Sequence, residues 1–281
     1  MLDQKIENSK EIIDKAILDF NPKAVVMMIS GGDDSLTAYH VSKLLGINFS
    51  MVIHGHTGTG IRETLDFVNL TMSTQREKLI ISSAGSAYAD YVMKKGFFGK
   101  GLKAHSYAFH LLKMSGFRKT VAKDLRKGKH NFSVLYINGA RRDESLNRSK
   151  NMISPYKIDP NCSNNIWVNI LHNWSKHDCI DFLDGSGIKR NPVAINLCRS
   201  GECMCGTTQS VGDRTEASFF YPVWGQWLDH LEKQVIKKFP WKWGHPISNS
   251  YLMEAKGQLP IFSEFAPMCS SCLKTNEKIK I

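Results

Sequence analysis

Residues 24–38 read AVVMMISGGDDSLTA, an apolar run followed by a glycine-rich turn and a helix-like pattern. A short apolar run without alternation predicts a strand buried on both faces. A strand, a glycine-rich turn and a helix start together point backbone N–H groups at an anion. Because Gly31 and Gly32 lack a Cβ, the chain can bend sharply there and a phosphate can come close. Ser30 and Ser35 add hydroxyl donors, so we predict a phosphate-binding turn. An ordinary Gly-Gly turn before a capped helix is the alternative.

Further apolar runs alternate with helical patterns along the first two thirds of the chain. They predict four more strands, at residues 49–54, 78–82, 132–137 and 166–170. Such alternation is typical of an α/β fold with a doubly wound, mostly parallel sheet. With 281 residues the chain is long enough for one large domain and an appendage. We predict a nucleotide-binding α/β domain over residues 1–195 and a small cysteine-bearing C-terminal region over residues 196–281.

The chain is basic, with 37 lysine and arginine residues against 26 acids and a formal net charge of +11. Most of this excess lies between Lys94 and Lys129, where Asp124 is the single acid. Aromatic residues interleave with these charges, which is typical of a surface for DNA or tRNA. A basic helix pair whose aromatic side chains point into the core explains the same pattern.

No apolar run reaches the roughly 18 residues of a transmembrane helix. The first residues, MLDQK, are polar and lack a signal-peptide core. These features predict a cytoplasmic protein without a membrane partner, and they leave a homo-oligomer possible.

Two later strand ends also carry polar turns. The second predicted strand runs into Thr57 and Gly58, and the fourth runs into Gly139 and three arginines, Arg141, Arg142 and Arg148. In open α/β sheets ligands bind outside the carboxyl ends of the strands, so these turns belong to one crevice. Arginine side chains there can bind phosphate or sulfate oxygens with two hydrogen bonds.

Five of the seven cysteines lie in the last third of the chain, in two groups. They are Cys198, Cys203 and Cys205, followed by Cys269 and Cys272. A Cys-x-x-Cys turn supplies two thiolates to one metal, and a second group completes a four-thiolate site. Zinc and iron–sulfur both fit these ligands. Unrelated thiols, or redox dithiol chemistry at Cys269 and Cys272, are the alternatives.

Several of these segments resemble the PP-loop superfamily, and in particular phosphoadenosine phosphosulfate (PAPS) reductase-like proteins and DNA phosphorothioation sulfurtransferases. Residues 30–35 resemble the SGGxDS signature, and residues 139–148 resemble a G-x-R-x-x-E-S-x-x-R segment. Residues 57–68 and 96–113 resemble the family more loosely. His56 stands where the family usually has Asp. No cysteine follows Cys272, whereas PAPS-consuming reductases carry a catalytic cysteine in a terminal Glu-Cys-Gly segment.

The resemblance implies an enzyme that binds ATP or an adenylyl sulfonucleotide with Mg²⁺. We expect it to adenylylate a substrate for iron–sulfur-assisted sulfur transfer. The catalytic residues it implies are Asp34, Arg141, Arg142 and Arg148. The nucleotide-binding residues it implies are Ser30, Gly31, Gly32, Asp33, Asp34, Ser35, Thr57, Gly58 and Gly139. The alternatives are an APS/PAPS reductase that releases sulfite, and a nucleic-acid-binding subunit on a degenerate PP-loop scaffold.

The resemblance also favours a 4Fe-4S cluster over zinc at the cysteines. Five cysteines then compete for four ligand positions. Cys203 and Cys205 are only one residue apart, so one of Cys198, Cys203 and Cys205 can be free.

Overall fold

A computed structural model describes residues 2–129, 131–160, 162–248 and 251–252. Within them the chain forms one six-stranded sheet flanked by helices. Its strands are β1 (Ala24–Ile29), β2 (Met51–His56), β3 (Leu79–Ser83), β4 (Val134–Asn138), β5 (Tyr156–Asp159) and β6 (Cys162–Asn169).

Eleven α-helices lie in the described part of the chain. They are α1 (Leu2–Phe20), α2 (Asp33–Leu44), α3 (Arg62–Ser73), α4 (Ala87–Lys95), α5 (Leu102–Phe109), α6 (Ser115–Val121), α7 (Leu146–Asn151), α8 (Lys176–Gly185), α9 (Pro192–Leu197), α10 (Val211–Phe220) and α11 (Pro222–Val235). Two π-helical turns, His110–Met114 and Ala122–Arg126, make residues 102–126 one continuous helical rod.

The strand order is β3-β2-β1-β4-β6-β5. β5 pairs antiparallel with β6 and every other pairing is parallel. The chain therefore runs outward from β1 through β2 to β3, and then crosses back to β4 on the other side of β1. This reversal leaves a crevice at the carboxyl ends of β1 and β4, where ligands bind in open α/β sheets.

The sheet is buried on both faces. One face packs against α1, α2, α3 and α8 through a cluster that includes Leu36, Val68 and Leu183. The other face packs against the helical rod through Met114, Phe117 and Val121. This double cover explains why the central strands are unbroken apolar runs rather than alternating ones.

A separate apolar cluster joins two distant parts of the chain. It contains Tyr88, Phe97 and Phe98 from the segment after β3, and Trp224 and Trp243 from the C-terminal third. The predicted boundary between residues 195 and 196 stays a prediction, and this core contains residues from both sides of it.

The sequence predicted the parallel strands of the sheet, but it did not predict the antiparallel edge strand or all of the C-terminal helices. The five predicted strands are present, displaced by a few residues, in a mostly parallel sheet. The antiparallel strand β5 and the helix α10 were not predicted. The helix α11 begins at Pro222, because proline fits the first helical turn.

A buried hydroxyl connects α1 to the sheet. Ser9 is fully buried; its Oγ donates to the Ile170 carbonyl at 2.7 Å and accepts from the Trp174 indole N–H at 2.9 Å. Ser9→Ala would leave both partners unsatisfied, so we expect it to lower the free energy of unfolding by about 1–3 kcal/mol. Urea unfolding measures this as a lower midpoint.

Ser42→Ala is the matched control. Ser42 is equally buried at 1% exposure, but its Oγ has no hydrogen-bond partner among the described residues. Its removal should leave the midpoint unchanged or raise it. Equal losses in the two variants would contradict the role given to Ser9.

Candidate active site

Hydroxyl groups hold the turn between β1 and α2 closed. The Ser35 Oγ accepts from the Ser30 N–H and from the Ser30 hydroxyl, both at 3.0 Å, and donates to the Gly32 carbonyl at 3.0 Å. Gly31 has a φ of +80°, and a Cβ there would lie 2.9 Å from the Thr64 methyl. Gly32 is the N-cap of α2, and no side chain of a described residue caps that helix. The first N–H groups of α2 therefore remain available at the crevice.

Gly139 brings the end of β4 against the start of α2. A Cβ at residue 139 would overlap the Asp34 carbonyl and lie 2.7 Å from the Ser35 nitrogen. No side chain larger than hydrogen fits there. The turns after β1 and β4, predicted from sequence to share a crevice, are in direct contact.

Two adjoining compartments open beside this turn, with volumes of about 600 and 520 Å³. Ser30, Asp34 and Ser35 line both of them. The larger compartment has apolar and aromatic walls, formed by Met28, Ile29, Phe109, Phe117 and Trp167. The smaller compartment is lined by charged side chains, namely those of Asp33, Arg141, Lys176, Arg190 and Arg199. The larger compartment also has Lys113, Arg148 and Lys157 at its walls. The crevice therefore offers an aromatic wall on one side of the phosphate turn, and cationic side chains on both sides of it.

Asp33 and Asp34 are neighbours in sequence with different surroundings. Asp33 is 1% exposed, with Lys176 Nζ 2.7 Å from its Oδ2 and the Arg190 guanidinium 3.1 Å from each carboxylate oxygen. Burial opposes ionisation, but the hydrogen bonds from Arg190 and Lys176 outweigh it and lower the pKa of Asp33. Asp33 thus positions two cations, whereas Asp34 reaches into both compartments.

Arg141 is the most buried of the three predicted arginines. It is 5% exposed, and its Nε lies 3.1 Å from Asp34 Oδ1. Burial opposes the charge on the guanidinium, yet Asp34 and Asp143 raise the pKa of Arg141. Its backbone N–H donates to Glu144 at 2.9 Å, which fixes the turn after β4.

The other two predicted arginines are placed differently. Arg148 lines the larger compartment and forms an ion pair with Glu144. Arg142 is exposed and points away from both compartments, with its Nε donating to the Ser149 carbonyl at 3.3 Å. The structure therefore brings Arg141 and Arg148 to the crevice and leaves Arg142 outside it.

Sequence reasoning missed three cations of the smaller compartment: Lys176, Arg190 and Arg199. Lys176 is the first residue of α8, which follows the carboxyl end of β6, so its position after a strand end was a usable signal. Arg190 and Arg199 lie in short loops on either side of α9, and no local pattern marks them.

Thr57 and Gly58 do not line either compartment. Thr57 is fully buried, its N–H donates to Glu202 Oε1 at 2.7 Å, and its hydroxyl donates to the Glu202 carbonyl at 2.6 Å. Gly58 has a φ of +71°, and a Cβ there would lie 2.6 Å from the Gly85 carbonyl. In this structure the turn after β2 binds the segment that carries the cysteines.

The first group of cysteines lies beside the phosphate turn. Cys198 is exposed on the rim of the smaller compartment, and a Cβ on Gly32 would lie 3.1 Å from Ser200 Cβ. The sulfurs of Cys203 and Cys205 are 4.0 Å apart. A hydrogen bond from Cys203 lowers the pKa of the Cys205 thiol to about 6, against the effect of burial. Cys269 and Cys272 lie outside the described residues.

The basic segment from Lys94 to Lys129 supplies core as well as surface. Phe97, Phe98 and Phe117 are at most 3% exposed, as the core interpretation predicted. Tyr107 and Phe109 are 53% and 37% exposed. The nucleic-acid interface stays a prediction.

Among the described residues, no helix is both long enough and apolar enough to span a bilayer.

Comparison with known proteins places this crevice in a family. Residues 24–209 match the family described as phosphoadenosine phosphosulfate reductase domain. No curated protein sequence matches the chain.

Similar solved structures include phosphoadenylyl-sulfate (PAPS) reductase from Candida auris in a phosphate complex. It is 16% identical with a TM-score of 0.47, and the match covers 68% of this chain and 84% of that one. FMN adenylyltransferase from Candida glabrata, in complex with ATP, is 13% identical with a TM-score of 0.49, over 69% of this chain and 58% of that one. A mutant of the same adenylyltransferase is 11% identical with a TM-score of 0.50, over 69% and 59%.

The family match spans about two thirds of the sequence and includes the phosphate turn, the arginine segment and the first cysteine group. The prediction of a PAPS-reductase-like PP-loop fold is confirmed, and the chain belongs to the phosphoadenosine phosphosulfate reductase domain family.

Proposed function

We propose that the chain is an enzyme that binds ATP at the crevice and transfers its adenylyl group to a substrate that then receives sulfur. The observation that carries this proposal is the shape of the crevice. A glycine-dependent turn, whose helix N–H groups no described side chain caps, stands between a compartment with an aromatic wall and a second compartment, and cations line both. A nucleotide has matching parts: an aromatic base joined through a ribose to an anionic phosphate chain.

In this arrangement the adenine base occupies the larger compartment. Phe109, Phe117 and Trp167 give it an aromatic and apolar wall. The α-phosphate lies on the Ser30–Ser35 turn, where the first N–H groups of α2 and the positive end of its dipole favour an anion.

The β- and γ-phosphates then lie in the smaller compartment. A substrate oxygen attacks the α-phosphorus, forming a new P–O bond, and the bond from that phosphorus to the bridging oxygen breaks, releasing pyrophosphate. Arg141 and Lys176 are placed to stabilise the charge that develops on the pyrophosphate. Asp34 is the carboxylate that would hold Mg²⁺ beside the phosphates.

The sulfur-transfer step of the proposed reaction depends on a metal centre held by the cysteines. The 4.0 Å separation of the Cys203 and Cys205 sulfurs lets both face one metal centre, and the thiolate donor set suits iron–sulfur and zinc. Two of Cys198, Cys269 and Cys272 would supply the remaining ligands. A 4Fe-4S cluster, when bound, would supply electron-transfer or sulfur chemistry next to the crevice; zinc would make the site structural.

Reduction of APS or PAPS with release of sulfite is the second candidate. The exposed Cys198 on the rim of the smaller compartment favours it. Its thiolate would attack the sulfonate sulfur and displace AMP or adenosine 3′,5′-bisphosphate, and an external dithiol would then reduce the resulting S-sulfonate, releasing sulfite and forming a disulfide. Sulfite release from either sulfonucleotide, without pyrophosphate release from ATP, would support this candidate and exclude the first.

Arg141→Gln and Arg142→Gln separate the crevice arginine from its outward-facing neighbour. Loss of a charge-assisted hydrogen bond costs about 1.5–3 kcal/mol, so Arg141→Gln should weaken ATP binding roughly 10- to 100-fold. Arg142→Gln should leave the affinity unchanged. Isothermal titration with ATP, APS and PAPS measures both, and urea unfolding checks that each variant is folded. Equal losses in the two variants would mean that the crevice does not hold the phosphates as proposed.

Anaerobic purification followed by iron, sulfide and zinc analysis tests the metal centre. We expect about four irons and four sulfides per chain. The double variant Cys203→Ser/Cys205→Ser should lose them. Cys179→Ser is the control. Cys179 is a residue of α8 and is fully buried in the core cluster, so its substitution should not change the metal content of folded protein. A colourless protein with one zinc would remove the iron–sulfur part of the proposal.

A further inference from the structure

Three side chains of the kinds that ligate metals meet beside the crevice, next to the segment that carries the first cysteine group. They are His54 and His56 of β2 and Glu202 of the cysteine-bearing segment, and their donor atoms lie within 4.8 Å of one another. His54 is fully buried and Glu202 is 1% exposed. The proposed nucleotide chemistry uses none of the three.

The hydrogen bonds of His54 fix which ring nitrogen carries a proton. Its Nδ1 lies 2.9 Å from the Ile29 carbonyl oxygen, which can only accept, so Nδ1 is the donor. In the neutral imidazole Nε2 then has a lone pair. That nitrogen faces the Glu202 Oε2 at 3.0 Å, so two acceptors point at each other. Either a second proton or a cation must lie between them.

The distance between His54 Nε2 and Glu202 Oε2, 3.0 Å, fits two ligands of one cation. Two donors about 2.1 Å from one metal ion are separated by about 3.0–3.4 Å for angles between a right angle and the tetrahedral angle. His56 Nδ1 lies 3.7 Å from Glu202 Oε1, which is longer than this range, so the His56 ring would move toward the ion on binding. That nitrogen is buried and has no hydrogen-bond partner among the described residues, although the His56 side chain is 28% exposed.

The surrounding contacts are those of a metal ligand set. Histidines that bind metals donate their other N–H to a carbonyl or carboxylate, as His54 does to Ile29. Ligating carboxylates are themselves hydrogen-bonded, as Glu202 is to the Thr57 N–H at 2.7 Å. These contacts would set the orientation of two ligands before a metal arrives.

We propose that His54, His56 and Glu202 bind a divalent transition-metal ion of the Zn²⁺ or Fe²⁺ class, separate from any metal on the cysteines. Two imidazoles and one carboxylate suit these ions better than Mg²⁺ or Ca²⁺. The ion connects β2 to residues 198–206 and so holds the cysteine segment against the phosphate turn. Three protein ligands leave a coordination position for water.

Cobalt titration of the metal-free full-length protein tests this site. Co²⁺ on nitrogen and oxygen ligands gives weak visible bands, whereas Co²⁺ on thiolates adds intense sulfur-to-metal absorption in the near ultraviolet. We expect one equivalent of Co²⁺ without sulfur absorption, in addition to any Co²⁺ that the thiolates bind with sulfur absorption. Cys203→Ser/Cys205→Ser should retain that equivalent. His56→Gln should weaken it at least tenfold, because one of three ligands is lost.

His40→Gln is the matched control. His40 is also partly buried, and its Nε2 also lacks a partner among the described residues, but it lies on α2 outside the group. It should bind Co²⁺ like the wild type. Glu202→Gln provides a second variant, with circular dichroism and urea unfolding to show that each protein is folded.

Equal Co²⁺ binding by the wild type and folded His56→Gln would overturn the proposal and leave His54 as an imidazolium paired with Glu202. So would a single equivalent whose sulfur absorption disappears in the double cysteine variant. ATP titration of the same proteins is read separately, so failure of the metal site and failure of the nucleotide site are distinguishable.

Discussion

The crevice depends on backbone contact at glycine positions. Gly139 allows the end of β4 to lie against the first turn of α2, and Gly32 allows Ser200 to lie against that same turn. Gly31 takes a left-handed conformation against α3. The end of β4, the segment at Ser200 and the helix α3 are far apart in sequence. All three can approach one turn closely because glycines at the contacts have no Cβ. Any side chain at Gly139 would push β4 away from α2 and open the switch point of the sheet.

Charge is divided within the crevice according to burial. Asp33 holds Lys176 and Arg190 in place, while Asp34, one residue later, pairs with Arg141 and reaches both compartments. A buried carboxylate whose oxygens are both engaged is a positioning group, whereas the Asp34 carboxylate is 25% exposed and can still be reached by a ligand. Beside the crevice, the Glu202 carboxylate contacts His54 of β2 and the Thr57 N–H, and so connects β2 to the cysteine segment. Buried carboxylates therefore position side chains both in the crevice and next to it.

The sequence was informative where one local pattern decided the structure. The apolar run before Ser30 predicted β1, and the serines and glycines predicted a turn whose hydrogen bonds are now visible. Ser175 and Asp178 form a capping box at the start of α8, which is a local pattern of the same kind. β5 was missed because it is a four-residue edge strand with exposed Lys157 and Ile158, which gives little periodic signal.

The rest of the site depends on contacts between distant residues. No local sequence pattern identifies Arg190 or Arg199 as site residues. They reach the phosphate turn only through the packing of the folded chain. Arg141 and Arg142 are adjacent in sequence, yet one is buried at the crevice and the other faces solvent. Thr57 and Gly58 were expected at the nucleotide, whereas the fold places them against Glu202 and Gly85. Motif resemblance locates a segment, but packing decides which of its side chains face the ligand.

We propose that residues 30–36 form the phosphate-binding surface. Hydrogen-exchange mass spectrometry of the full-length protein, with and without ATP, tests this role directly. We expect peptides that cover residues 30–36 and 139–144 to exchange more slowly with ATP, because bound phosphate orders the turn and its neighbours. Unchanged exchange there, with protection confined to other parts of the chain, would contradict this account.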